Sequence, residues 1–261
     1  MRAGLLTFLL LLGGFGGLPV RAEAPLLTLQ KGDLPLLIVA GHGGKLPLEG
    51  AEVREKDKVQ DPKFVIFGDA FTNELATDLA GAVAQEWGVE EHRPSLLLNW
   101  VHRRYADVNR KPEFTSHDPV GVAHHAAYHQ MIDDELERLV AEHGWALLLD
   151  IHGQAHYETT LLLGTAQNEV VGPWSLEALW GGDGLVARLE GAGFTAEPTS
   201  ADGKQRYGGG YTVRHHGADP RVEAWQMEHS RAIRDTLDDR TRYLEEVARL
   251  LVQAMRRHPG R

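Results

Sequence analysis

Two histidines in this 261-residue chain follow apolar runs and precede glycine: His42 in "LLIVAGHGG" and His152 in "LLLDIHGQ". Both runs read as strands, and in open α/β sheets ligands bind beyond the carboxyl ends of the strands. Two imidazoles at one sheet edge, in a chain without cysteine, suit a borderline or hard metal such as zinc. Either histidine alone is better read as a hydrogen-bonded turn residue, and a Gly-rich turn after a strand also suits a phosphate. Asp150, two residues before His152, lies on the same side of its strand and can orient the imidazole.

A catalytic zinc typically keeps three protein ligands and one open position. The HxxE spacing is absent, because Lys45 stands three residues after His42. The carboxylates available as third ligand are Asp69 and Glu74 in "GDAFTNELATDLA", although Asp69 is also placed to cap a helix. Glu228, in "EAWQMEHSR", ends a further apolar run. A carboxylate there can serve as general base toward water, or simply favour a helix start through the dipole. The stretch "HRRYADVNRKP" sets Arg103, Arg104 and Arg110 beside Asn109. Arginine forks there suit a bidentate grip on a carboxylate, or a surface ion-pair cluster with Asp107. His125 and His129 stand four apart, as in helical zinc sites, but the glutamate of HExxH is missing. No G-x-S-x-G supports a serine nucleophile, and Gly208–Gly210 lacks the Lys-Ser/Thr of a phosphate loop.

Residues so far apart must be brought together by a sheet. Apolar runs predict strands over 34–40, 64–68, 95–100, 146–152, 159–164 and 223–228. Apolar residues at three- and four-residue spacing predict helices over 71–87, 120–143, 175–191 and 231–256. The alternation predicts one α/β domain with a mixed, largely parallel central sheet covered on both faces. The polar, glycine-rich segment 196–221 reads as a long loop with room for one short strand.

Residues 1–22 read as a secretory signal peptide: Arg2, an apolar run from Leu5, and small residues before the expected cleavage after Ala22. The expected mature domain is 23–261, exported to a periplasmic or extracellular location, with no stable membrane span after cleavage. Removing Arg2 and Arg21 moves the formal net charge from −10 to −12. That acidic balance argues against a nucleic-acid partner, and the lack of cysteine excludes a disulfide framework and a thiol nucleophile.

In order, "GHGG", "DAFTNEL", "RRYADVNR", "YHQMI", "LLDIHG", "GGGYTVRHHG" and "WQMEHSR" resemble the motifs of the N-formylglutamate amidohydrolase family, itself similar to zinc carboxypeptidases. The resemblance spans about residues 34 to 235. It implies a phosphorylase/hydrolase-like three-layer α/β/α fold with one zinc held by His42, Asp69 and His152, and it favours Asp69 over Glu74. It further implies Glu228 as base, Arg103 polarising the scissile carbonyl, Asn109 and Arg110 gripping a substrate carboxylate, and Tyr211 closing over the substrate. The implied reaction is hydrolysis of an N-formyl or N-acyl amino acid, a small molecule bearing a carboxylate. A carboxypeptidase-like peptidase and a non-catalytic exported binding protein for acidic ligands remain the alternatives.

Overall fold

The computed structural model describes residues 25–89, 92–155 and 160–260; the expected signal peptide lies outside them. The described strands are β1 (Leu27–Gln30), β2 (Leu36–Ala40), β3 (Ser95–Asn99), β4 (Ala146–Gly153), β5 (Thr160–Gly164), β6 (Thr195–Glu197) and β7 (Val222–His229). They form one sheet in the order β1-β3-β2-β4-β7-β5-β6. Strands β3, β2, β4 and β7 run parallel, whereas β1 joins β3 and β5 joins β7 antiparallel.

The helices are α1 (Lys56–Val59), α2 (Thr72–Trp87), α3 (Pro112–Thr115), α4 (Pro119–His143), α5 (Pro173–Trp180), α6 (Leu185–Gly191), α7 (Tyr211–His216), α8 (Arg231–Asp235) and α9 (Leu237–Arg256). All five residues of β2 are buried, so it is covered on both faces. Leu36, Ile38 and Ala40 pack in a core with Leu75 and Leu79 of α2 and Val247 and Leu251 of α9. Leu37 and Val39 face the opposite core, with Tyr128 and Ile132 of α4 and Val213 of α7. This is a three-layer α/β/α arrangement. Burying each such aliphatic side chain stabilises by roughly 1.5–3 kcal/mol, so a one-residue slip, which exchanges the faces, is disfavoured.

The topology creates the crevice. Strand β2 leads through α2 to β3 on one side, and the chain returns through α4 to β4 on the other. Strand order therefore reverses between β2 and β4, which is where ligands bind in such sheets. Helix α4 is delimited locally: Asp118 accepts hydrogen bonds from the Val120 and Gly121 amides, Pro119 opens the first turn, and Gly144 closes the helix at φ +81°.

Several elements differ from the sequence expectation. Segment 64–68 is not a strand: Arg54 donates to the Val65 carbonyl, and Phe67 is 77 % exposed. The short strands β1 and β6 carry too few apolar residues to announce themselves. The helix expected over 175–191 is two helices separated at Gly181–Gly184, and that over 231–256 breaks at Thr236, which is extended. The segment read as a long loop contains helix α7.

Candidate metal and catalytic site

His42 lies just beyond β2, His152 near the end of β4, and Asp69 just before α2. Their backbones are tied together: the Asp69 amide donates to the His42 carbonyl at 2.9 Å, and the Gly153 amide donates to Asp69 Oδ2 at 3.2 Å. The glycines after His42 serve packing. A Cβ on Gly43 would lie 2.2 Å from Asn73 Oδ1, and one on Gly44 2.3 Å from the Trp100 carbonyl carbon. Phe71, between Asp69 and α2, takes φ +67°, a costly conformation for a bulky residue and one found mostly near functional sites.

Three ligand atoms converge. His42 Nδ1 and His152 Nδ1 are 3.1 Å apart, and Asp69 Oδ2 lies 3.3 Å from the first and 3.0 Å from the second. The distal nitrogens have their own partners. His42 Nε2 lies 2.8 Å from Asp107 Oδ1, and His152 Nε2 lies 2.9 Å from both Asp150 Oδ2 and Asn109 Nδ2. Both Asp150 oxygens are buried without an aligned hydrogen bond, so this carboxylate acts on His152 mainly through its charge. Tetrahedral ligands at about 2.0–2.1 Å from a zinc ion stand about 3.3 Å from one another. The observed triangle, with second partners on each distal nitrogen, therefore fits a zinc ion. Glu74 is not in the cluster; its carboxylate lies 4.0 Å from Lys45 Nζ, and both side chains are substantially exposed.

The charged groups around the triangle hold one another in their charged forms. Burial pushes the Asp69 carboxyl up, but contacts with His152 and His42 outweigh it and hold it below the usual range. Burial likewise opposes charge on His152, yet Asp150 and Asp69 raise it well above the ordinary histidine value. Asp107 is held far below its usual value despite burial, chiefly by the Arg103 guanidinium and then by His42. Arg103 Nε donates to Asp107 Oδ2 at 2.7 Å, and Arg54 Nη1 is 3.7 Å from the same oxygen. The sequence marks Asp107 only as an ion-pair partner. Its place in "RRYADVNR" was visible, but not that its second oxygen reaches His42.

Glu228 is the register partner of His152 on adjacent parallel strands, which brings it to the same cleft. Gln226 Nε2 donates to Glu228 Oε1 at 2.8 Å, and burial raises the Glu228 carboxyl above its ordinary value, with His152 opposing and Asp69 adding to the rise. The cleft measures about 840 Å³. Among the described residues its walls carry Lys56, Lys63, Arg103, Arg110, Arg206, Arg231 and Arg234 against Asp69 and Glu228, an electropositive lining on an acidic chain.

Arg103 sits beside the triangle, with Nη1 3.9 Å from Asp69 Oδ1. Asn109 and Arg110 line the cleft, but much of their bonding capacity is directed into the protein. Asn109 Nδ2 meets His152 while Oδ1 accepts from the Thr212 amide; Arg110 donates to Asp61 and to the Lys63 and Asn109 carbonyls. The structure does not bring Tyr211 to the cleft. Its ring stacks on His215 at 4.8 Å and packs against His125 and His129 of α4. Arg234 carried no sequence signal. Its guanidinium donates to the carbonyls of Ala70, Gln154 and His229, so one buried side chain fastens the segments carrying Asp69, His152 and Glu228.

The sequence profile of the N-formylglutamate amidohydrolase family matches residues 120–233, which include His152 and Glu228. A crystal structure of N-formylglutamate amidohydrolase from Ralstonia eutropha JMP134 is similar at a TM-score of 0.60 and 15 % identity, covering 88 % of this chain and 97 % of that one. A gene product of Agrobacterium tumefaciens is similar at a TM-score of 0.50 and 16 % identity, covering 90 % of this chain and 94 % of that one. Among curated proteins, none matches in sequence. The resemblance carried by the short motifs therefore holds: over residues 120–233 the chain bears the sequence pattern of the N-formylglutamate amidohydrolase family, and it folds like a solved N-formylglutamate amidohydrolase.

Proposed function

We propose that this protein is an exported zinc-dependent amidohydrolase acting on an N-acyl amino acid or a related small amide with a carboxylate. The observation that carries the reading is the triangle of His42 Nδ1, His152 Nδ1 and Asp69 Oδ2, with Glu228 opposite His152 in the same cleft. His42, Asp69 and His152 would hold the ion, which when bound supplies Lewis acidity toward the amide carbonyl and makes water more acidic. Glu228, raised by burial, is suited to accept the proton of the attacking water and to return it to the departing amine. Arg103 is poised for the carbonyl oxygen as negative charge develops there, and the basic wall favours an anionic substrate. The leader-like sequence of residues 1–22 supports export; amino-terminal sequencing of the mature protein checks it.

One feature favours an acyl group larger than formyl. Phe67 and Val65 line the cleft and are 77 % and 37 % exposed, offering apolar surface beside the charged floor. Hydrolysis measured with zinc on N-formyl, N-acetyl and longer N-acyl glutamates and on dipeptides tests both points. Turnover that rises with acyl length supports the apolar contact. No turnover of any amide, alongside calorimetric binding of the same compounds, would instead show a binding protein.

A further inference from the structure

A second cluster of ligating side chains lies on the other face of the sheet, between α4 and α7. His216 Nδ1 is 2.9 Å from Asp133 Oδ1, and His216 Nε2 is 2.9 Å from His129 Nδ1. His129 Nε2 is in turn 2.7 Å from the Val108 carbonyl. His215 adjoins His216, with ring centroids 4.8 Å apart.

Both ends of this chain of contacts, the Asp133 carboxylate and the Val108 carbonyl, only accept hydrogen bonds. His129 Nε2 therefore donates to Val108. In the tautomer where His129 Nδ1 accepts from His216 Nε2–H, His216 Nδ1 is the ligand atom turned to Asp133, 2.9 Å away.

We propose that a borderline divalent transition metal such as zinc binds between Asp133 Oδ1, His216 Nδ1 and the His215 imidazole. The three ligand atoms lie within 4.8 Å of one another. Asp133 and His215 are exposed, and their side chains can close to tetrahedral spacing, while the buried His216 is already oriented by His129. Asp133 and His216 border a surface cavity of about 180 Å³, which gives the ion an entrance. The remaining candidate cluster among the described residues, Glu52, Glu55 and His117, already has a cation at its centre, Lys58, which pairs with both glutamates. Metal at the α4–α7 site would pin α7, whose Thr212 amide holds Asn109 and through it His152.

Equilibrium dialysis of the full, metal-stripped chain against zinc, read by elemental analysis, tests this independently of the catalytic reading. The expected result is two equivalents for the wild type. Asp69→Asn and His215→Ala should each keep one, and the double variant none. His215 is exposed, so its removal spares the fold. As a second readout, Asp133→Asn should weaken the site at least 10-fold. A His215→Ala chain that binds as much zinc as the wild type overturns the proposal, as does a wild type whose only equivalent disappears in Asp69→Asn. If Asp69→Asn loses nothing while His215→Ala does, the second site stands and the proposed catalytic site falls.

Discussion

His152 and Glu228 face each other in register across adjacent parallel strands, β4 and β7. A proposed metal ligand and a proposed base thus share a fixed backbone frame, with neither on a mobile loop. Replacing Glu228 by Gln keeps the shape and removes the base. The expected outcome is a fall in kcat of about 10²–10⁴-fold with zinc content unchanged. Steady-state kinetics beside elemental analysis checks it; full activity would dismiss Glu228 as the base.

Asp107 touches the proposed ion only through His42, yet it fixes that ring from Nε2 at 2.8 Å. Asp107→Asn should weaken zinc binding at the first site by about 10–100-fold. Competition with a chromophoric chelator measures this, and the His215→Ala background removes the second site from the signal.

Arg234 donates to the carbonyls of Ala70, Gln154 and His229, the last of which also accepts from the Gln154 amide. Arg234→Met should cost about 1–3 kcal/mol in urea unfolding, the range for one abandoned buried acceptor, since the His229 carbonyl keeps the Gln154 amide and the exposed Ala70 segment is open to water. Activity should fall with it, because the Asp69, His152 and Glu228 segments lose their common tie.

Three buried histidines make stability acid-sensitive. Burial is the leading cause in each, and it lowers His124 to about 4 and His129 and His229 to about 3. In the unfolded chain they titrate near 6.5, so below that pH only the unfolded state takes up their protons. Their contribution is complete above about pH 6.5 and is lost as pH falls toward 4 and 3, at about 1.4 kcal/mol per pH unit for each histidine. Urea unfolding of the metal-free chain between pH 7 and pH 5 should show this loss, and His124→Gln should flatten the slope by about one proton.

Gly43 is demanded by sterics. A Cβ there would meet Asn73 Oδ1 at 2.2 Å, and Asn73 is itself held by the Asn99 carbonyl. Gly43→Ala should destabilise by about 1–3 kcal/mol, the range for overpacked sites, and thermal unfolding reads it directly.

The sequence alone determined the strands β2, β3, β4 and most of β7, because unbroken or nearly unbroken apolar runs admit few other roles. It also placed His42, His152 and Glu228 at strand ends, and it identified Asp69 as a ligand candidate through its motif. What it did not contain were contacts between residues far apart in the chain. Asp107 meets His42 across 65 positions, and Arg234 reaches Ala70 across 164. Tyr211 shows the same boundary: the resemblance implied a place over the substrate, and its ring packs on His125, His129 and His215. Local pattern is set by periodicity and turn chemistry, which a sequence carries in plain order. The direction of a side chain at a helix start and the second partner of an imidazole depend on how whole elements pack, and only the folded chain decides that.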